Sequence, residues 1–170
     1  MKTAGKHLPL FGPGPIYVSV LIAVTVLSGW LTRQSWLASG YFPALRLPFM
    51  ILAALFISAG DILWLLAIFQ SRIGTRIQNH QLVTNGVYAW VRNPIYSSFL
   101  LICSGVLLLE VNLWLLILPL CFWLFLTLLL RRTEERWLRN AYGNAYLAYC
   151  RRTNRCLPWP PRCHAGSKGN

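Results

Sequence analysis

Four apolar runs, at about residues 16–31, 47–69, 95–109 and 113–130, leave this chain few ways to fold. Hydrocarbon offers no hydrogen-bond partners, so a chain crossing it must satisfy every backbone N–H and C=O internally. Only helices and closed barrels do so. A spanning helix needs roughly 20 apolar residues, within a range of about 17–25. The second and fourth runs reach that length, and the first and third fall somewhat short. The third is expected to extend back through Asn93-Pro94, because proline is tolerated in a first helical turn. The expected fold is therefore all-α, a multi-pass transmembrane helical bundle of about four spans. Glu110-Val111-Asn112 is a tight turn that makes spans three and four an antiparallel hairpin. Pro119 is expected to kink the fourth span.

The composition agrees with a membrane protein: 56% of the 170 residues are hydrophobic and only 12% are charged. The cations are distributed unevenly. Of the 16 Lys and Arg, two precede the first span, three lie between spans two and three, and nine follow span four. Only Arg33 and Arg46 fall in the first connector. The positive-inside rule then places both termini and the Arg92 connector in the cytoplasm. The net charge of +12 follows from that asymmetry and favours anionic membrane lipids over nucleic acid as partners.

The expected organisation is a single integral membrane domain over 1–170. Residues 1–70 supply the N-terminal spans, 71–159 a core with the polar connector and C-terminal helix, and 160–170 a flexible tail. Lys2 and Lys6 before an apolar run resemble a secretory signal, but no small-residue cleavage site follows, so a retained span is expected. Trp30, Trp36 and Tyr41 cluster at the outer end of span one, as interfacial anchors do. Gly12-Pro13-Gly14-Pro15 breaks structure ahead of a span and has no strand before it, unlike a nucleotide-binding loop. The cysteines suggest no disulfide framework, and the spacing of Cys156, Cys163 and His164 is not that of a zinc site. No metal is expected.

Three polar features remain. Asp61 is the one ionisable residue well inside a span, which makes it a functional candidate by its cost in hydrocarbon. A small transporter built on Asp61 is one reading; an internally hydrogen-bonded carboxyl that fixes helix register is the other. Residues 131–152 read as a cytoplasmic amphipathic helix with Glu135, Leu138, Tyr142, Tyr146 and Tyr149 along one stripe. Its aromatic face could simply lie on lipid. Yet Glu134 and Glu135 are two of only four acidic residues, placed beside Arg131 and Arg132, where they form either a structural ion pair or a site. The last feature is the connector at 79–96, which concentrates His, Tyr, Trp, Arg and Asn between two apolar runs.

Within that connector, His80-x-Leu82-Val83-Thr84-x-Gly86-Val87-Tyr88-Ala89-Trp90-x-Arg92-Asn93-Pro94-x-Tyr96 resembles the signature of the isoprenylcysteine carboxyl methyltransferase family. Glu134-Glu135-x-x-Leu138, Tyr142-Gly143-x-x-Tyr146-x-x-Tyr149 and Pro158 resemble its second signature at the expected separation. The likeness covers about residues 79–159; residues 1–70 match only as spans. The wider group includes phospholipid N-methyltransferases and small-thiol methyltransferases. The resemblance implies an S-adenosylmethionine-dependent membrane methyltransferase acting on a lipid-like or prenylated acceptor, with no Rossmann fold. It implies that His80, Gln81, Leu82, Val83, Tyr88, Asn93, Pro94, Ile95, Tyr96 and Glu135 bind the cofactor. Aromatic faces suit adenine and a sulfonium cation. Glu134 would stand at the reacting end, with Arg131 or Arg92 aligning an anionic acceptor.

Two positions depart from the family pattern. Asn93 stands where the isoprenylcysteine enzymes commonly have His, which keeps hydrogen bonding but removes titration. Asn there points to the prokaryotic members and a prokaryotic cytoplasmic membrane. Leu130 stands where the family usually has an Arg for the substrate carboxylate. Arg131 or Arg132 would have to substitute from about 100° or 200° around the helix. The expected chemistry is in-line methyl transfer to a carboxylate, with a phospholipid amine or a small thiol as alternatives. A carboxylate is already ionised and needs no general base; an amine or thiol could pass its proton to Glu134.

Overall fold

The computed structural model describes residues 14–72 and 84–158. It contains helices α1 (Gly14–Leu31), α2 (Arg46–Arg72), α3 (Val87–Trp90), α4 (Pro94–Leu109), α5 (Ile117–Arg132) and α6 (Glu134–Arg152). Short 3₁₀ turns at Ser35–Gly40, Pro43–Leu45 and Leu113–Leu116 join them. No β-strand occurs among the described residues, and the protein is an all-α membrane bundle. Three helical stretches, Gly14–Leu31, Pro43–Gln70 and Leu113–Arg132, are long and apolar enough to cross a bilayer. The fourth, α4, has 16 residues and spans about 24 Å at 1.5 Å per residue. It starts at Pro94, with the proline at the first helical position as the sequence implies.

The closest packing in the bundle is between α2 and α4, and small residues make it possible. Gly60 rests on the Ser98 carbonyl and Ile102, while Gly105 rests on the Ala53 carbonyl and Ile57. The two helices are thus antiparallel. A Cβ at Gly60 would stand 2.7 Å from Ile102 Cγ1 and 2.9 Å from the Ser98 oxygen. Gly60→Val should therefore force the helices apart and cost about 1–3 kcal/mol, as overpacking does. Thermal unfolding in detergent checks this; an unchanged midpoint would contradict the packing.

On the other side of α4, Tyr17 and Leu21 of α1 meet Leu100, Cys103 and Leu107 of α4 and Phe122, Leu126 and Leu130 of α5. The hairpin turn between α4 and α5 is fixed by side chains rather than by glycine. Val111 adopts φ 49°, a rare conformation for a β-branched residue, and is buried. Asn112 holds it by donating to the Leu37 carbonyl at 2.9 Å and accepting from the Trp114 amide at 3.0 Å. Glu110 accepts from the Thr32 hydroxyl at 2.9 Å. Trp30 and Tyr41 stay exposed at this end of the bundle, where interfacial aromatics belong.

Three local expectations change. Pro119 is the third residue of α5, so it lies in the first turn, where its missing N–H has no intrahelical role and proline is tolerated. Residues 131–152 are not one helix lying on the membrane. Instead α5 continues through Arg132, the backbone turns at Thr133 (φ −115°, ψ −87°), and α6 begins at Glu134. Gly143 interrupts α6 with φ 50° and ψ −124°, a conformation that favours glycine. Tyr146 and Tyr149 are buried in the protein, so that part of the aromatic stripe does not lie on lipid. Asp61 is exposed on α2, whereas its neighbours Gly60, Leu63 and Ala67 are buried.

Candidate functional site

The site is assembled where α2 ends, α4 begins and α5 passes into α6. Gln70, near the end of α2, accepts from the Val87 amide and donates to the Asn85 carbonyl, both at 2.9 Å. Those bonds tie the start of the one-turn helix α3 to the end of α2. Gly86 between them has φ 62°, which favours glycine, and a side chain there would displace the Gln70 amide from these bonds. The chain then runs extended through buried Val91, which pairs with Asn154 as a parallel bridge.

A row of contacts fastens this connector to the end of α6. Tyr149 donates to the Tyr88 carbonyl at 2.6 Å, Thr153 to the Ala89 carbonyl at 3.2 Å, and the Arg92 amide to the Asn154 carbonyl at 2.9 Å. The Asn93 side chain donates to the Arg155 carbonyl at 3.2 Å. The Asn93 amide thus fastens to the backbone of the C-terminal segment, and its side-chain oxygen makes no capping bond to α4. Burial holds the Tyr88 hydroxyl above its ordinary range, so it remains protonated at neutral pH.

The two signature segments meet through both glutamates. Tyr96 donates its hydroxyl proton to Glu134 Oε1 at 2.6 Å. Arg92 Nη1 donates to Glu135 Oε1 at 3.1 Å, and Arg155 grips Glu135 with Nε on Oε1 at 2.5 Å and Nη2 on Oε2 at 2.9 Å. Adjacent acids on a helix point about 100° apart, so one pair can serve two different clusters. Burial raises the Glu134 carboxyl above the usual glutamate range, partly opposed by the Tyr96 hydrogen bond. The ion pair with Glu135 raises Arg155 further.

Tyr17 and Arg155 went unseen in the sequence. Tyr17 is fully buried, with its ring edge-on to Tyr96 at 5.9 Å between centroids and stacked on Phe125 at 5.8 Å. Its place in the first turn of an apolar span carries no periodic signal. Arg155 looked like one more cation of a basic tail. Two buried polar atoms among the described residues lack a partner, and both are here: the Tyr17 hydroxyl and Arg92 Nε. Arg92 also lines a cavity of about 410 Å³ with Trp123, Thr127, Arg155 and Leu157.

Of the residues expected at a site, Tyr88, Arg92, Asn93, Pro94, Ile95, Tyr96, Glu134 and Glu135 lie in these joined segments. His80, Gln81, Leu82 and Val83 lie outside the described residues. Arg131 is not brought to Tyr96 or Glu134. Leu130 is fully buried, and the next two positions turn outward, leaving Arg131 and Arg132 exposed in a separate groove. Asp61, the basis of the transporter reading, is exposed on α2 without a hydrogen bond or ion pair among the described residues.

A bundle of apolar helices here closes one end over paired acids, arginines and tyrosines, and the family match makes the protein a membrane methyltransferase. The chain belongs to the phospholipid methyltransferase family, whose profile matches residues 44–145. It also resembles the protein-S-isoprenylcysteine O-methyltransferase of Schizosaccharomyces pombe, at 33% identity over 87 residues. That alignment covers 51% of this chain and 36% of the yeast protein, so the chain matches about a third of that relative's length. No solved structure matches. Tyr17, Tyr149 and Arg155 all fall outside the family-matched segment, although their side chains complete the site within it.

Proposed function

We propose that this protein transfers a methyl group from S-adenosylmethionine to a lipid-like acceptor at the cytoplasmic face of a prokaryotic membrane, with both termini on that side. The acceptor class that fits best has an anionic head and an apolar tail, as a prenylated cysteine carboxylate does. A phospholipid amine and a small apolar thiol remain the alternative acceptors. The observation that carries the reading is the 2.6 Å bond between Tyr96 and Glu134, which joins the two signatures in one place.

The residues present suit the cofactor. A sulfonium is a cation, and a partly buried carboxylate beside tyrosine rings offers it both charge and aromatic surface. When bound, S-adenosylmethionine supplies a methyl group on a cationic sulfur that leaves as a neutral thioether. Glu134 would hold that charge near the reacting end, with Tyr96 fixing its carboxylate. Tyr88, Asn93, Pro94, Ile95 and Tyr96 would line the cofactor site, together with His80, Gln81, Leu82 and Val83. Glu135 belongs to the same assembly as the anchor of Arg92 and Arg155. Arg92 lines an amphiphilic cavity with Trp123 and Leu157 on its apolar side, which supports Arg92 as the group that aligns the acceptor anion. Arg131, expected from the sequence as the alternative for that role, lines the separate groove and not this cavity.

An ionised acceptor carboxylate needs no base, so the protein's work is positioning and charge arrangement. An amine or thiol would instead release a proton, which Glu134 could accept. The test is incubation with methyl-labelled S-adenosylmethionine and three acceptors: a farnesylcysteine analogue, phosphatidylethanolamine and a small apolar thiol. Label on the farnesylcysteine carboxyl is expected. Absence of calorimetric S-adenosylmethionine binding together with no labelled product overturns the proposal.

A further inference from the structure

The α5–α6 elbow forms a second concavity, of about 360 Å³, that the methyl-transfer reading does not use. It is lined by Leu128, Arg131, Arg132, Glu135, Arg136 and Arg139. Two arginines come from the last turn of α5 and two from the first turns of α6, and all four are exposed. Arg136 and Arg139 stand three residues apart, so they are neighbours on one helix face. The groove contains one acid, Glu135, and that carboxylate already holds Arg92 and Arg155. None of the four groove arginines makes a hydrogen bond or ion pair among the described residues. Four like charges are therefore gathered in one hollow with no anion to offset them.

We propose that this groove binds a phosphate ester, and that its natural source is the head group of an anionic phospholipid. Guanidinium groups match phosphate oxygens in a bidentate fork that a point charge cannot reproduce. The groove's position favours a lipid over a free ion. Leu128 forms its apolar side, and Leu124, one turn earlier on α5, is half exposed along the same ridge. A lipid held there would set its phosphate on the arginines and its chain along Leu124 and Leu128. This groove shares no lining residue with the cavity beside Arg92, although Glu135 borders it and holds Arg92, and its occupation requires no methyl transfer.

Native mass spectrometry of the purified full chain, titrated with phosphatidylglycerol, phosphatidylcholine or inorganic phosphate, tests the proposal. Phosphatidylglycerol should bind at least about tenfold more tightly than zwitterionic phosphatidylcholine. The double variant Arg136→Gln/Arg139→Gln should lose at least about tenfold in phosphatidylglycerol affinity, since two charge-assisted pairs are removed. Arg136→Lys/Arg139→Lys keeps the charge, and its affinity should still fall several-fold. Both positions are exposed, so the variants should melt as the wild type does. Inorganic phosphate that displaces the lipid at millimolar concentration would support the phosphate site and assign a free ion as its source. Wild-type lipid affinity in the glutamine variant, or in the lysine variant, overturns the proposal, because the attraction would then be diffuse surface charge. Equal binding of phosphatidylcholine overturns it as well.

Discussion

Glu134→Gln should lower methyl transfer by at least about 100-fold, within the range by which a positioned acid–base or charge-bearing group contributes. Gln keeps the shape and can still pair with Tyr96, so the substitution removes the charge with little change in packing. The fold should survive for a second reason. Burial raises the folded pKa of Glu134 above its ordinary value of 4.5. An acid with a raised folded pKa contributes most to stability below the unfolded pKa and loses that contribution as pH rises through the folded value. At neutral pH the charged Glu134 is thus a burden on the fold, and the Gln variant should melt no lower than the wild type. The acid limb of kcat/KM should lie above 4.5, reflecting ionisation of Glu134, and should vanish from any residual activity of the variant. Full activity in Glu134→Gln would remove this residue from the mechanism.

The largest effect on stability is expected at the neighbouring acid. Glu135 accepts from Arg92 and Arg155, whose side chains are 10% and 24% exposed, and its own side chain is 10% exposed. Glu135→Gln leaves two mostly buried cations without a counter-charge. Removing one partner from a buried ion pair costs about 3–5 kcal/mol, because the remaining charge stays desolvated. Arg155→Gln should cost less, since Glu135 keeps Arg92 and the pair stays neutral. The loss should also appear as a local event. Glu135 is the link between the start of α6, the Arg92 connector and the segment after α6, so trypsin should cut at Arg151, Arg152 and Arg155 far faster in Glu135→Gln. A thermal midpoint and a tryptic pattern both like the wild type would show that the ion pair is no clamp.

The two glutamates show how far the sequence could be read. Their nearness to Tyr96 at the start of α4 is legible, because two motifs in order at a set separation imply one site. Their division of labour is not. Helix geometry turns adjacent residues about 100° apart, and only packing decides which acid faces Tyr96 and which faces the arginines. Arg155 was hidden for the same reason: within a basic tail, nothing local distinguishes a cation that pairs with a buried acid from one in water. Leu130 departs from the family pattern, but whether Arg131 can replace an Arg there depends on rotation about α5. Burial of Leu130 turns Arg131 into the outer groove. The apolar run does not reveal where α5 starts: the 3₁₀ turn at Leu113–Leu116 places Pro119 in the first turn of the helix.

What the chain's own letters determined was the solvent and the kind of element. Long apolar runs demand hydrocarbon, and hydrocarbon demands helices, since unpaired backbone groups have nowhere else to turn. Spacing of Gly, Pro, Tyr and Glu then marked the connector and the helix start that carry the chemistry. Tertiary structure alone decided that Tyr17 of α1 stands against Tyr96, that Asn93 fastens to the Arg155 backbone, and that the arginines of α5 and α6 share a hollow apart from the site. These are contacts between residues far apart in the chain, fixed by how helices rotate and pack, and no local periodicity encodes that rotation.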